Sequence, residues 1–222
     1  MTGPRLVMIE GVAPGIGKST LAASLARVLR AGGSPVDLFP EEDLFTRPEF
    51  AEVAQGFRTK DFPTPEHFLP AYAATFEAQR AGNAWGIFDW NCAGMASDLP
   101  WAASDPARLR TLVRDVRLLA EERTPLVVSL RGDVRQATRR AAAERGRGWV
   151  DYWARIADEH GVSEGPAFER IVHYQESVQV LKQADLDILR TTGWQVVDLD
   201  ASASADEVLG QALTALRLPV TS

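Results

Sequence analysis

Short apolar runs alternate along the chain with stretches in which apolar residues recur at helical spacing. The run at 124–133, TPLVVSLRGD, is continuous and bounded by Pro125 and Gly132, which is typical of a strand covered on both faces. Alternation of this kind indicates crossover units and therefore parallel strands with helices on both faces. We predict an α/β fold, a three-layer α/β/α arrangement with a five-stranded parallel sheet, whose strands lie within residues 5–10, 34–43, 84–90, 124–133 and 194–200.

Helical spacing predicts six helices between and after these strands. Pro70 lies inside the second of them and should bend or restart it. Ser204 and Glu207 form a plausible capping box at the start of the last one. The six predicted stretches are 18–33, 65–82, 105–122, roughly 134–160, 166–191 and 204–218.

Composition and charge fit one globular domain spanning residues 1–222. Hydrophobic residues make up 45% and charged residues 24% of the 222 positions, as is ordinary for globular proteins. A net charge of −6 argues against a broad nucleic-acid-binding face, and no apolar run is long enough for a membrane span. The single cysteine, Cys92, cannot form an internal disulfide, and the chain starts without a leader pattern, so we expect a cytoplasmic location.

The segment EGVAPGIGKST at 10–20 matches the second half of a phosphate-binding loop. Five residues separate Gly11 from Gly17, where the usual pattern has four, so Val12 stands in the place of the first glycine. Either the turn is one residue longer, or Val12 has an ordinary β conformation. The predicted phosphate grip consists of Pro14, Gly15, Ile16, Gly17, Lys18, Ser19 and Thr20.

The chemistry of this loop predicts a nucleoside triphosphate site. Converging backbone N–H groups and a helix N-terminus favour an anion, Lys18 would reach the outer phosphates, and the Ser19 hydroxyl would ligate Mg²⁺. The loop follows a predicted strand and opens a predicted helix, as this mechanism requires. The alternative is a flexible glycine turn with a solvated lysine.

The order of elements and several motifs resemble the deoxynucleoside kinase and thymidylate kinase group of P-loop kinases. The resemblance is carried by IEG and GKST near the start, an acidic turn after the second strand, arginines after LRGD, and the closing VVDLDASASADEV. It extends along nearly the whole chain. It implies a P-loop kinase fold with an arginine-rich lid at about 138–152, ATP and Mg²⁺ as cofactors, and a small-molecule phosphoryl acceptor.

The resemblance assigns a base to the acidic turn FPEED. In deoxynucleoside kinases a glutamate here accepts the proton of the substrate hydroxyl, and Glu41 stands at that place. Glu42 and Asp43 are rivals, and a solvated acidic turn without a catalytic role is the alternative. A carboxylate with like-charged neighbours is a better base at neutral pH.

Arginines of the lid form a second set implied by the resemblance. Arg140, Arg145 and Arg147 resemble the arginines that clamp the transferring phosphoryl group, with one residue inserted after the first. Arginine suits this role because its planar fork remains charged. The alternative is a helix with a basic solvated face, which Arg135 and Arg139 fit.

The end of the third strand departs from the family pattern. Asp89 matches an acidic residue near Mg²⁺, but Trp90 stands where the family has an arginine near the substrate. A tryptophan cannot grip a phosphate, although it can stack on a flat group. On the preceding helix Tyr72, Phe76 and Gln79 are candidates for lining an acceptor pocket, with core packing the favoured role for the two aromatic residues.

These residues together predict an ATP-dependent phosphotransferase acting on a hydroxyl, or a phosphate, of a nucleoside-like acceptor. A kinase of another hydroxyl compound, such as an antibiotic or a sugar, is the alternative within this class. A regulatory P-loop ATPase or switch, or a nucleotide-binding protein without turnover, is the alternative outside it. The resemblance also allows a homodimer, and it implies neither a nucleic-acid nor a membrane partner.

Overall fold

The strands of this protein form a single parallel sheet. A computed structural model describes residues 5–59 and 61–218, and its strands lie in the order β2-β3-β1-β4-β5. All four neighbouring pairs are parallel, which confirms the predicted fold class. The strands are β1 (Leu6–Gly11), β2 (Val36–Phe39), β3 (Trp85–Phe88), β4 (Pro125–Arg131) and β5 (Gln195–Asp200).

Helices fill the connections between the strands. The six predicted helices correspond to α1 (Lys18–Ala31), α3 (Pro65–Ala81), α6 (Pro106–Leu119), α7 (Val134–Glu159), α8 (Ala167–Thr191) and α9 (Ala205–Ala215). Three more, α2 (Ala51–Thr59), α4 (Cys92–Ala96) and α5 (Pro100–Ser104), lie in stretches where the sequence predicts no helix. None of the helices in the described ranges combines the length and apolar character needed to cross a bilayer.

Side chains of the central strand point alternately into two cores. Leu6 and Met8 pack in a core that includes residues of α3, α4, α6 and α8. Val7 and Ile9 pack in a second core with residues of α1, the start of α7 and α9. A sheet with helices on both faces is therefore the observed three-layer arrangement. Glu10 follows the alternation to the first face, the one that carries α4 and α8.

Two local predictions about helices have different outcomes. Pro70 does not restart its helix, since α3 runs without interruption from Pro65 to Ala81. The capping box of α9 is confirmed, because the Glu207 N–H donates to Ser204 Oγ at 3.3 Å and the Ser204 N–H donates to Glu207 Oε2 at 2.9 Å.

The long helix α7 contains a break at one of its glycines. Gly146 within α7 has φ 75° and ψ −168°, which is not helical, so α7 consists of two helical segments joined at this residue. The break falls inside the segment 138–152, which the resemblance implies to be a lid. Ahead of it, Ala137 and Ala141 are buried.

Candidate active site

The loop between β1 and α1 obtains its shape from two glycines. Gly15 has φ +78° and Gly17 has φ +109°, values that side-chain-bearing residues rarely adopt. Val12 is not among the described non-glycine residues with positive φ, so the strain that a β-branched residue has in that region does not arise here. Gly11 ends β1, where a Cβ would lie 2.4 Å from Ile16 Cγ2. The unusual spacing therefore leaves the turn itself intact.

The start of α1 presents an anion-binding end. Gly17 caps the helix without a side-chain hydrogen bond, so no capping side chain occupies the first N–H groups of α1. These groups and the helix dipole favour a negatively charged ligand. Lys18, the first residue of α1, adds a positive charge at the same end. The predicted grip residues are thus brought together on one turn of backbone.

Of the acidic residues after β2, Glu41 comes nearest to the loop lysine. Its Oε2 lies 3.9 Å from Lys18 Nζ. Glu41 and Glu42 are both exposed, and Asp43 Oδ2 lies 3.5 Å from Arg47 Nε. The geometry therefore favours Glu41 among the three rivals for the role of base.

Ser19 and Asp89 meet beside the loop, as a metal site would require. The Ser19 hydroxyl donates to Asp89 Oδ2 at 2.9 Å. Asp89 is 4% exposed, and its other oxygen, Oδ1, is buried without a hydrogen-bond partner among the described residues. A buried carboxylate oxygen without a donor fits a cation, and hydroxyl and carboxylate oxygens are suitable ligands for Mg²⁺. These residues fit the ion that the loop implies.

The three candidate lid arginines lie in different surroundings. Arg140 Nε donates to the carbonyl oxygen of Gly15 at 3.3 Å, so it reaches the loop. Arg145 is exposed, and Arg147 Nε lies 3.6 Å from Asp151 Oδ2 with its side chain in solvent. The structure therefore brings one of the three to the phosphate loop and leaves the other two on the surface of α7.

The proposed acceptor-lining aromatics lie in the core. Trp90 is 3% exposed and packs against Phe39, Phe50, Tyr72 and Phe88, with ring centroids 5.4–5.9 Å apart. Tyr72 is fully buried and Phe76 is 2% exposed. In this arrangement neither ring face of Trp90 is open for stacking on a bound molecule. The packing role that the sequence favours for Tyr72 and Phe76 is the one their surroundings show.

Gln79 lies away from the loop, at the other end of the neighbouring strands. Its Nε2 donates to Asp37 Oδ2 at 2.7 Å, and its side chain covers Gly86 in the first half of β3. Burial opposes ionisation of Asp37, but hydrogen bonds from Arg47 and Gln79 outweigh it and hold its pKa below the ordinary value. Gln79 thus makes its polar contact near the amino ends of β2 and β3, at the end of the sheet opposite to the phosphate loop.

A buried polar cluster beside the loop escaped the sequence analysis. Glu10 Oε1 accepts the Gly11 N–H at 2.9 Å, and Glu10 Oε2 accepts the side-chain amide of Asn91. Lys182 Nζ of α8 lies 4.0 Å from both Glu10 and Asp185. The available signal was Glu10 itself, a charged residue closing a strand that is otherwise apolar.

The charged groups of this cluster shift one another's pKa values. Burial raises the pKa of Asp185 to about 7, although Lys182 acts to lower it. Burial acts to lower the pKa of Lys182, but Glu10, Asp185, Asp98 and Glu41 outweigh this effect and raise it. One ammonium thus lies in the field of four carboxylates. Cys92, which follows Asn91 in the chain, is buried, and burial raises its pKa to about 12.

The ends of three adjacent strands supply the site. The loop follows β1, Glu41 follows β2 and Asp89 follows β3, and these strands are neighbours in the sheet. Ligands of open parallel sheets bind in the crevice outside such carboxyl ends. Fold and loop together define a P-loop protein.

Solved structures similar to this chain include two kinases. A deoxyadenosine kinase from M. mycoides with bound dCTP is 18% identical, with 96% of this chain and 98% of that chain covered and a TM-score of 0.41. A sugar kinase from Janibacter sp. is 20% identical, with 99% of each chain covered and a TM-score of 0.48. No family model and no curated protein matches the sequence.

Proposed function

We propose that this protein is an ATP-dependent kinase that transfers the γ-phosphoryl group to a hydroxyl of a small, nucleoside-like acceptor. The observation that supports it best is the convergence of Lys18, Glu41 and the Ser19–Asp89 pair at the start of α1. A cation for phosphate, a carboxylate for the hydroxyl proton and oxygen ligands for Mg²⁺ are the groups that phosphoryl transfer needs.

Each group has a distinct role in the proposed reaction. The acceptor oxygen forms a bond to the γ-phosphorus while the bond from that phosphorus to the bridging oxygen breaks, and ADP leaves with the electron pair. Glu41 takes the hydroxyl proton. Lys18 stabilises the charge on the phosphate oxygens, and lid arginines that fold over the loop would add to it. Mg²⁺, held by Ser19 and Asp89, would supply further charge neutralisation.

Charge near the loop favours a hydroxyl over a phosphate acceptor. Trp90 is packed into the core at the place where the resembled group has an arginine near its substrate. Lys182 is already surrounded by Glu10, Asp185, Asp98 and Glu41. A monophosphate would add negative charge to a region that is rich in carboxylates, which is unfavourable. A neutral acceptor avoids this repulsion.

The base assignment can be tested with a matched pair of variants, Glu41→Gln and Glu42→Gln. Both remove one carboxylate from the same turn, but only Glu41 lies near Lys18. We expect Glu41→Gln to lower kcat by about 100-fold or more, as loss of a general base does, and Glu42→Gln to have a much smaller effect. Equal effects of the two changes would remove Glu41 from this role.

Mass spectrometry identifies the acceptor class. The protein is incubated with Mg-ATP and separate panels of nucleosides, nucleoside monophosphates, sugars and nucleoside-like antibiotics. We expect a gain of one phosphoryl group on nucleosides and none on monophosphates. Phosphorylation confined to sugars or antibiotics would show that the acceptor is such a compound and not a nucleoside. ATP loss without any phosphorylated product would favour a regulatory ATPase.

A further inference from the structure

Glu10 joins the ends of two neighbouring strands. One of its oxygens accepts the N–H of Gly11, which leads into the phosphate loop, at 2.9 Å. The other accepts the side-chain amide of Asn91, two residues after Asp89. Glu10 is 5% and Asn91 1% exposed, so no bulk water replaces either bond. A single carboxylate therefore connects the loop to the segment that carries the metal-site aspartate.

The segment after Asp89 is fixed at both ends of α4. Asn91 Oδ1 accepts the Gly94 N–H at 2.9 Å, which caps the start of this short helix. Ser97, at its other end, donates to Asp185 Oδ2 at 3.1 Å. Lys182 lies 4.0 Å from the carboxyl groups of both Glu10 and Asp185, so one ammonium is shared by the groups that hold the two ends.

Gly94 shows how closely these groups are packed. A Cβ there would lie 2.8 Å from Glu10 Oε2 and 3.2 Å from Asn91 Nδ2. Space at this position is therefore already filled by the two side chains that form the junction. Any side chain at position 94 would push the carboxylate and the amide apart.

We propose that Glu10 is a positioning residue that sets the place of Asp89 relative to Ser19 and thereby the contribution of Mg²⁺ to nucleotide binding. This inference rests on the proposed nucleotide site. Glu10 touches neither phosphate nor metal; it acts through Asn91 and the Gly11 N–H. Residues that orient metal ligands in this way commonly change metal affinity when they are replaced.

Exchanging the chemical groups of Glu10 and Asn91 tests the proposal, because it reverses which side chain donates the hydrogen bond and which accepts it. Glu10→Gln leaves one acceptor oxygen for two donors, the Gly11 N–H and the Asn91 amide, so one of these donors faces the glutamine NH2 group, and in Asn91→Asp two carboxylates face each other. The double variant E10Q/N91D restores one donor and one acceptor at the junction, and aspartate still accepts the Gly94 N–H. It also keeps the charge of the cluster near Lys182.

The measurement is calorimetric binding of a non-hydrolysable ATP analogue with and without Mg²⁺. We expect the Mg²⁺-dependent gain in affinity to fall about tenfold in each single variant and to return in the double variant. Gly94→Ala removes no polar group but would push the Glu10 carboxylate and the Asn91 amide apart, so it should reduce the same gain. The affinity for the ATP analogue without Mg²⁺ should change less than the Mg²⁺-dependent gain in affinity does.

The outcomes separate this inference from the proposed function. A parent protein that binds no nucleotide would overturn both. A parent protein that gains affinity with Mg²⁺, together with folded single variants that gain as much, would overturn the positioning role alone. If a single variant fails to fold, the double variant decides, because a folded E10Q/N91D protein without the gain also contradicts the proposal.

Discussion

At the residue scale, the two loop glycines have the same backbone requirement but different neighbours. Both have positive φ. A Cβ on Gly15 would lie 2.3 Å from the carbonyl oxygen of Ala137 in α7, whereas a Cβ on Gly17 has no neighbour within 4 Å. Gly15 thus allows α7 to approach the loop, whereas at position 17 glycine is required only by the backbone conformation of the turn.

We therefore expect Gly15→Ala to be more damaging than Gly17→Ala. Strain from positive φ, on the order of 1 kcal/mol, is common to both, and the backbone contact with α7 adds to it only at Gly15. Urea denaturation of the two variants measures the free energy of unfolding. Their affinity for a nucleotide reports whether the loop keeps its shape. Equal losses would show that the contact with α7 does not matter.

Single residues show what sequence patterns can and cannot predict. The positions of Lys18 and Ser19 follow from local spacing, because the loop and helix are contiguous in the chain. Lys182 and Asp185 could not be predicted, because a contact between α8 and β1 depends on tertiary packing. The sequence offers Trp90 as a residue that can stack on a flat substrate, and only the neighbouring rings show that it is enclosed in the core.

At the element scale, length decided which helices could be predicted. The long helices α1, α6 and α8 show apolar residues over several turns, so periodicity identifies them. The helices α4 and α5 contain five residues each, too few to display a period. The phosphate loop therefore had a sequence signal, whereas α4, which holds the segment after Asp89, had none.

Gly146 is the element-scale feature most open to experiment. Its φ of +75° separates the two segments of α7, with Arg145 and Arg147 on either side. We expect Gly146→Ala to favour a continuous helix, because alanine disfavours this conformation, and so to displace these arginines. On the proposed function, kcat should fall by about tenfold or more with little change in the KM for ATP.

Gly148→Ala is the matched control. Gly148 lies in the same helix, has open surroundings, and is not among the glycines with positive φ. Steady-state kinetics and circular dichroism of both variants are compared. A similar loss of kcat in the two would show that the break at Gly146 has no special part in turnover.

At the scale of the whole molecule, Asp185 links ionisation to stability. It is 2% exposed and connects α8 with Ser97 at the end of α4, facing Lys182, Glu10 and Asp98. Burial raises its pKa from 3.8 to about 7, so the folded state holds a proton that the unfolded state has lost between these values. The contribution of Asp185 to the free energy of unfolding is therefore fully present below about pH 4 and is lost as pH rises towards 7.

We expect Asp185→Asn to reduce this dependence on pH. Asparagine cannot ionise and still accepts the Ser97 hydroxyl, so the variant should gain stability relative to the parent by roughly 2 to 4 kcal/mol between pH 4 and 8. Urea denaturation at several pH values measures the difference. Asp187→Asn, at an exposed position of the same helix, controls for loss of a carboxylate. A difference independent of pH would contradict the role assigned to Asp185.

The sheet as a whole was predictable as a parallel arrangement, but its strand order was not. Alternation of strands and helices identifies the crossovers, while the neighbours of β1 are determined by contacts between distant parts of the chain. Because β3 lies between β2 and β1, Asp89 stands between Glu41 and the loop. This order is what turns three separate motifs into one candidate site.

Burial of Cys92 makes the protein a convenient host for chemical labels. The chain has no other cysteine, and this one is 1% exposed with its pKa raised by burial to about 12. A thiolate is needed for reaction with maleimides, so the native thiol is protected while the chain is folded. A cysteine introduced by Arg147→Cys, at a position whose side chain is exposed, would then be labelled selectively, and a fluorophore there would report the surroundings of α7 without removal of the native cysteine.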